Sequence, residues 1–254
     1  MQSPTIKIAA VGQEAFLVPG ELFSWRSTYI RNAINWKETN VMTDVELQDT
    51  PYGTIQQFVI WAMPLYPRID ENVTFEDMVD LAIFAEVHEA ELLHNQCIDI
   101  LREELGNNSW KVTPLIVQRV YTALGNGAQL RKLIGNLLWH ARQDMSANKE
   151  RATLQNDTVD EWCETFSLTS DIGRDYYLSS CSQRPIKQTK EGGPCRFHWH
   201  RGIDERTLSR MDSSSCPYTY LGQFPLGVIS VANKLTNSVE RDLSTPTALE
   251  PKTA

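Results

Sequence analysis

The most constraining feature of the sequence is residues 74–105, where apolar side chains repeat at helical spacing twice in succession. Thr74 can cap the first repeat through its side-chain oxygen, and Asp77 lies three positions on, where a capping box has its second partner. The apolar repeat is interrupted between Val87 and Ala90. The pattern therefore predicts two consecutive helices with a break at that point.

Each predicted helix has an apolar stripe and an opposing charged face. Two short amphipathic helices cannot cover both stripes against each other, so the segments before and after them must complete a core. The apolar positions are Phe75, Met78, Val79, Ala82 and the Phe84 to Val87 segment, then Leu92, Leu93, Cys97, Ile98, Leu101 and Leu105; the charged positions are Glu76, Asp77, Asp80 and Glu86, then Glu91, Asp99, Arg102 and Glu103.

The charge of the chain is unevenly distributed. Residues 1–105 carry 6 Lys and Arg against 17 Asp and Glu, within a net charge of −8 for the whole chain. An acidic surface repels phosphate backbones, so we expect no nucleic-acid ligand, whereas a protein partner with a basic groove stays compatible.

With 41% apolar residues and no apolar run of membrane-spanning length, a globular chain without a membrane partner is expected. Residues 1–20 lack the pattern of a signal peptide, which predicts an intracellular location, cytoplasmic or nuclear.

The segment before the helical pair predicts a hairpin and short helices. Residues 5–18 alternate as two strands around a turn at Gly12, which is the ordinary hairpin signal. Residues 21–35 then predict one or two helical turns, with Ser24 and Ser27 as candidate caps between them.

A third strand and further helices complete the pattern. Residues 41–47 alternate as a strand, and residues 49–62 predict a turn followed by a helix. After the helical pair, residues 113–124 and 129–141 predict a second pair, and residues 160–178 one or two helices more. The second pair either extends a partner contact or caps the core of the first, and the pattern leaves both open.

Four collinear segments between residues 5 and 105 carry a family resemblance. They are VGQEAFLV, ELFSWRSTYIRNAINWKE, VELQDTPYGTIQQFVIWA and DLAIFAEVHEAELLHNQCIDIL. In this order they resemble a BTB/POZ domain of the type common in filamentous fungi. The resemblance implies an α+β fold, in which a small, mostly antiparallel sheet is flanked by helical hairpins, with a C-terminal helical extension. The predicted regions are a BTB/POZ domain at 1–106, the helical extension at 110–182, a Cys/His-containing segment at 183–221 and a disordered tail at 222–254.

The resemblance also implies two protein-binding sites. Trp36 and Glu38 resemble the loop that BTB substrate adaptors place against a cullin, where an apolar anchor fills a pocket and a carboxylate accepts a hydrogen bond. An exposed loop joining a helix to a strand is the alternative for these residues. Leu22, Phe23 and Trp25 are the expected homodimer contact, because a small domain needs fewer large apolar side chains than these for its own core.

A cluster of Cys and His residues lies near the C-terminus. Cys195, His198, His200 and Cys216 supply four nitrogen and sulfur ligands, the number that a tetrahedral zinc ion requires. The His-x-His spacing is not the usual second pair of a zinc site, so the alternative is an exposed aromatic loop with incidental histidines. The same Cys-x-x-His-x-His followed by Cys resembles a segment of fungal BTB chains, which favours zinc.

The remaining residues favour protein binding over catalysis. His88 and His94 are six positions apart and so do not share a helical face, which predicts a helix surface or a helix break for them. The sequence contains no glycine-rich phosphate loop and no GxSxG or HExxH motif, so neither a catalytic residue nor an organic cofactor is predicted. The BTB resemblance implies a self-associating interaction module and substrate adaptor for a cullin-type ubiquitin ligase. The alternative is a dimerising or regulatory scaffold without a ligase partner.

Overall fold

A computed structural model describes residues 5–34, 43–107, 112–147, 159–182 and 198–199. In these ranges the fold is α+β and mostly helical, with a small sheet of three strands. The strands are β1 (Thr5–Ala10), β2 (Phe16–Pro19) and β3 (Thr43–Leu47). The helices are α1 (Gly20–Arg26), α2 (Thr28–Ala33), α3 (Tyr52–Ala62), α4 (Phe75–Val87), α5 (Glu91–Asn107), α6 (Pro114–Ala123), α7 (Gln129–Ala147), α8 (Val159–Leu168) and α9 (Ser170–Ser182).

The sheet has the strand order β2-β1-β3. Strand β1 is antiparallel to β2, with Ile8 opposite Phe16, and parallel to β3, with Ile8 opposite Val45. Gly12 adopts a φ of +73° in the turn between β1 and β2, a conformation that glycine reaches without a Cβ clash. The hairpin and the third strand are confirmed. The sheet is mixed rather than mostly antiparallel, because α1 and α2 form the crossover that lets β3 run in the direction of β1.

The helical pair forms as the sequence predicts, with its break between α4 and α5. The Thr74 side-chain oxygen accepts a hydrogen bond from the Asp77 backbone N–H at 3.2 Å, which confirms the cap of α4. Glu89 turns the chain with a φ of +52°. The Ser27 hydroxyl donates to the carbonyl of His88 at 2.6 Å, and the Thr28 N–H donates to the carbonyl of Glu89 at 3.3 Å. The junction of α1 and α2 therefore holds the break in place.

Only one of the two candidate serine caps acts as predicted. The Ser27 side-chain oxygen accepts from the Ile30 N–H at 3.1 Å and caps α2. The Ser24 hydroxyl instead donates to the carbonyl of Gly20 at 2.8 Å, one turn earlier in α1. Ser24 is therefore an interior residue of α1, because that helix begins at Gly20 and continues past it.

One hydrophobic cluster joins the hairpin, the helical pair and the helices that follow. Val18 of β2, Phe84 of α4, Ile98 of α5 and Ile172 of α9 all belong to it. The hairpin and the paired helices thus belong to one core, in which α1 and α3 contact both of them. Within the described ranges, none of the helices combines the length and the apolar character that crossing a bilayer demands.

Ion pairs tie the later helices to this core. The Arg119 guanidinium of α6 lies 2.9 Å from the Asp80 carboxylate of α4. The buried Arg131 of α7 lies 3.1 Å from the carboxylate of Asp171 and 3.4 Å from that of Asp175, both in α9. These contacts, together with the shared apolar cluster, favour the interpretation that α6 to α9 cap the core of the helical pair.

Candidate functional site

Helix α1 separates aromatic residues that the sequence groups together. Phe23 has 0% relative exposure and packs edge-to-face on Phe58, with 5.5 Å between ring centroids. Trp25 is 76% exposed, and Leu22 is partly buried against the core. The prediction that Phe23 offers surplus apolar area to a partner is corrected, because its ring is buried in the core of its own chain. The surface available on α1 therefore consists of Trp25 and the exposed part of Leu22.

A groove beside Trp25 combines the aromatic ring with opposite charges. Its volume is about 540 Å³, and the described residues that line it are Glu21, Ser24, Trp25 and Arg31. The Arg31 Nε donates to the carbonyl of Ser24 at 3.0 Å, which fixes the guanidinium against the backbone of α1. A groove that combines an exposed tryptophan with an arginine contains residue types that are enriched at protein interfaces.

Further exposed apolar side chains lie next to the C-terminal end of α1. They follow α3, where the Arg26 guanidinium of α1 donates to the carbonyls of Pro64 and Leu65 at 3.0 and 3.1 Å. The same guanidinium lies over the Trp61 ring, 5.8 Å from its centroid. Arg26 therefore fixes the segment after α3 against α1. The exposed apolar residues there are Met63, Leu65 and Tyr66, and Ile60 in the last turn of α3 is exposed as well.

Several predicted site residues lie outside the described ranges. Trp36 and Glu38, the expected cullin contact, are among them, as are Cys195, His200 and Cys216 of the expected zinc site. Of the four expected zinc ligands, the structure describes His198 alone. Within the described residues, no three His, Cys, Asp or Glu side chains gather as a metal site requires.

The position of His198 bears on the zinc prediction in one respect. Its Nε2 lies 2.9 Å from Oδ1 of Asp99, and both side chains are buried. The Arg102 guanidinium donates to the same carboxylate oxygen at 2.8 Å. A histidine that binds a metal through one ring nitrogen often donates its other ring N–H to a carboxylate, which orients the imidazole. The contact between His198 and Asp99 has this form, so the environment of His198 is compatible with zinc. The zinc site stays a prediction.

Glu86 and His94 form a buried polar contact that the sequence interpretation missed. The Glu86 carboxylate accepts from the backbone N–H groups of Gln129 and Leu130 at 2.7 and 3.3 Å, so a side chain of α4 caps the first turn of α7. His94 Nε2 lies 3.4 Å from the same carboxylate without forming a hydrogen bond, so the contact is an ion pair when the imidazole is protonated. Burial raises the pKa of Glu86, but His94 and the two N–H groups outweigh it, and the pKa is lowered overall.

Asn95 holds the backbone of Trp199 through both ends of its amide. Its Oδ1 accepts from the Trp199 N–H at 2.8 Å, and its Nδ2 donates to the Trp199 carbonyl at 2.9 Å. The Trp199 ring stacks on the His94 ring, with centroids 5.0 Å apart and 27° between the planes. The segment 198–199 is therefore docked on α5, about a hundred residues away along the chain.

Both histidines of the helical pair are buried: His88 lies at the helix break, which is one of the two predicted positions, whereas the burial of His94 corrects the expectation of a helix surface for that residue. His94 is fully buried on α5, and His88 is buried at the break after α4. The His88 ring contacts the rings of Tyr29 and Phe84, with centroids 4.8 and 4.4 Å away. Burial among these groups lowers the pKa of His88 to about 4, because desolvation disfavours the imidazolium.

We expect His88 to make the fold less stable in mild acid. The unfolded chain takes up the His88 proton below a pH of about 6.5, whereas the folded chain does so only near pH 4. Its contribution is therefore fully present above the higher pKa and is lost as the pH falls towards the lower one, with a cost of about 3 kcal/mol. Chemical denaturation between these pH values checks this. Wild type and His88→Gln with equal pH slopes would contradict it.

No protein-family model matches the sequence, and no curated protein matches it either. The geometry of the described residues therefore carries the functional argument.

Proposed function

We propose that the chain is a BTB/POZ-type protein-interaction module that self-associates through α1. The observation that carries the proposal is the 76% exposure of Trp25, which lines a groove together with Glu21, Ser24 and Arg31. A large aromatic ring is a common anchor of protein interfaces, since it buries much area with little loss of side-chain entropy. Further exposed apolar residues follow α3, in the segment that Arg26 of α1 binds through two backbone carbonyls.

The order of the elements supports the BTB/POZ assignment. The chain runs from a hairpin through two short helices, a third strand and a single helix to the helical pair, as the resemblance implies. The buried charged groups support interaction over catalysis, because each has a structural contact. Glu86 caps α7, Asp99 pairs with Arg102 and His198, and Arg131 pairs with two aspartates of α9.

Trp25→Ala is expected to weaken self-association at least about tenfold, because it removes the anchor at the centre of the contact. Sedimentation equilibrium over a concentration series measures the dimer dissociation constant. The matched control is Tyr177→Ala in α9, another aromatic residue with 65% exposure. A monomeric wild type at high concentration, or equal losses in both variants, would refute the proposal.

Cullin binding is a separate question, because Trp36 and Glu38 lie outside the described residues. Pull-down with a cullin N-terminal domain distinguishes a ligase adaptor from a dimerising scaffold. An adaptor would bind the cullin and lose this binding in the Trp36→Ala/Glu38→Ala variant. A scaffold would dimerise through α1 and leave the cullin unbound.

A further inference from the structure

The docked segment 198–199 is held by a pattern of contacts that resembles ligand recognition rather than core packing. Asn95 engages the N–H and the carbonyl of one residue, Trp199, at 2.8 and 2.9 Å. A side-chain amide that pairs with both backbone groups of one residue fixes that residue in register. The same pairing can form with any residue that has a backbone N–H, so Asn95 by itself does not select a particular side chain.

The flanking residues of α5 supply the selectivity. The His94 ring stacks on the indole of Trp199, which favours an aromatic side chain at that position. The Asp99 carboxylate accepts from Nε2 of His198 at 2.9 Å, which favours a hydrogen-bond donor or a cation at the preceding position. Together they specify a two-residue motif, a donor or cationic side chain followed by an aromatic one.

The protein holds these recognition groups in place from behind. Arg102 donates to the Asp99 carboxylate at 2.8 Å, and the Asn95 Oδ1 lies 3.2 Å from the His94 Nδ1. On its other side His94 faces the buried Glu86 carboxylate, which caps α7. Recognition groups that are fixed before a ligand binds lose little entropy on binding, which raises affinity.

We propose that the α5 face formed by His94, Asn95 and Asp99 is a peptide-recognition site for a His-Trp motif. The chain's own residues 198–199 occupy it in cis. The site is distinct from the Trp25 surface of α1, so this inference stands or falls independently of self-association. Its effect is to latch residues 198–199 onto α5 through three hydrogen bonds and one ring stack.

The test uses the full chain with its latch removed by the double substitution His198→Ala/Trp199→Ala. The probe is a fluorescein-labelled peptide of residues 194–203, with Cys195 replaced by serine and with a chelator present to exclude metal. Fluorescence anisotropy should show binding to the latch-free chain and at least about tenfold weaker binding to wild type, because the cis segment competes at a high effective concentration. Adding Asn95→Ala to the latch-free chain should abolish binding, as should replacing the peptide's tryptophan with alanine.

Folding of each variant is checked by circular dichroism. A folded latch-free chain that ignores the peptide, binding that survives Asn95→Ala, or equal binding to wild type would each overturn the proposal. Should the latch-free chain fail to fold, hydrogen exchange on the Asn95→Ala full chain gives an independent test. The 198–199 segment should exchange at least about tenfold faster there, with α4 and α5 unchanged. Unchanged exchange of that segment would overturn the proposal as well.

Discussion

Glu86→Ala is expected to lower the free energy of unfolding by about 2–5 kcal/mol, because it removes a buried carboxylate that accepts two backbone hydrogen bonds. The backbone N–H groups of Gln129 and Leu130 would lose their acceptor at the start of α7. His94 would also lose the carboxylate that it faces. Burial leaves little room for water to replace these contacts, since the Glu86 side chain is 7% exposed. Chemical denaturation at neutral pH measures the loss.

Two controls separate the cap from the general effect of removing a charge. Glu86→Gln retains a carbonyl oxygen that can accept from Gln129, so its loss should be smaller, about 1–2 kcal/mol. Glu76→Ala changes the same residue type on the exposed face of α4 and should cost no more than about 0.5 kcal/mol. An alanine variant at position 86 that matches the Glu76 variant would show that the carboxylate does not support α7.

Those parts of the fold that depend on local contacts could be predicted from the sequence. The cap at Thr74 involves Asp77, and the cap at Ser27 involves Ile30, so each signal lies within one turn of helix. The break between α4 and α5 was likewise visible as an interruption of the apolar repeat. Capping groups and apolar spacing act over a few residues, which is the range that a pattern records.

The buried polar network was not predicted, although the spacing contained a signal for it. Glu86 lies four positions after Ala82 and seven after Val79, and His94 lies four before Ile98 and seven before Leu101. These are the intervals of the buried stripes, so both residues belong on them. We assigned them to the surface because their side chains are polar. Their partners in α7 and in the 198–199 segment are too distant in sequence for a local pattern to reveal.

The split between Phe23 and Trp25 could not be predicted for a different reason. Helix α1 has only 7 residues, which is just under two turns, so no repeat defines which side is buried. Both residues are large and aromatic, and their residue types do not separate them. The packing of Phe23 on Phe58 of α3 decides the orientation of the helix, and that contact depends on the tertiary fold.

Phe23→Ala is expected to destabilise the protein by about 3–5 kcal/mol, because it deletes a fully buried ring and leaves a cavity. The lost contacts include the edge-to-face packing on Phe58, whose ring in turn lies 4.8 Å from that of Phe84 in α4. The cavity would therefore open between α1, α3 and the helical pair. Thermal and chemical denaturation of the variant measure the loss.

Trp25→Ala is the matched control, two residues along the same helix. Its ring is 76% exposed, so its removal should change the free energy of unfolding by no more than about 0.5 kcal/mol. The two variants should thus change different properties. Phe23→Ala lowers stability, whereas Trp25→Ala lowers self-association. If Phe23→Ala were as stable as Trp25→Ala and lost self-association as well, the Phe23 ring would lie at the contact, and the orientation of α1 described by the structure would be wrong.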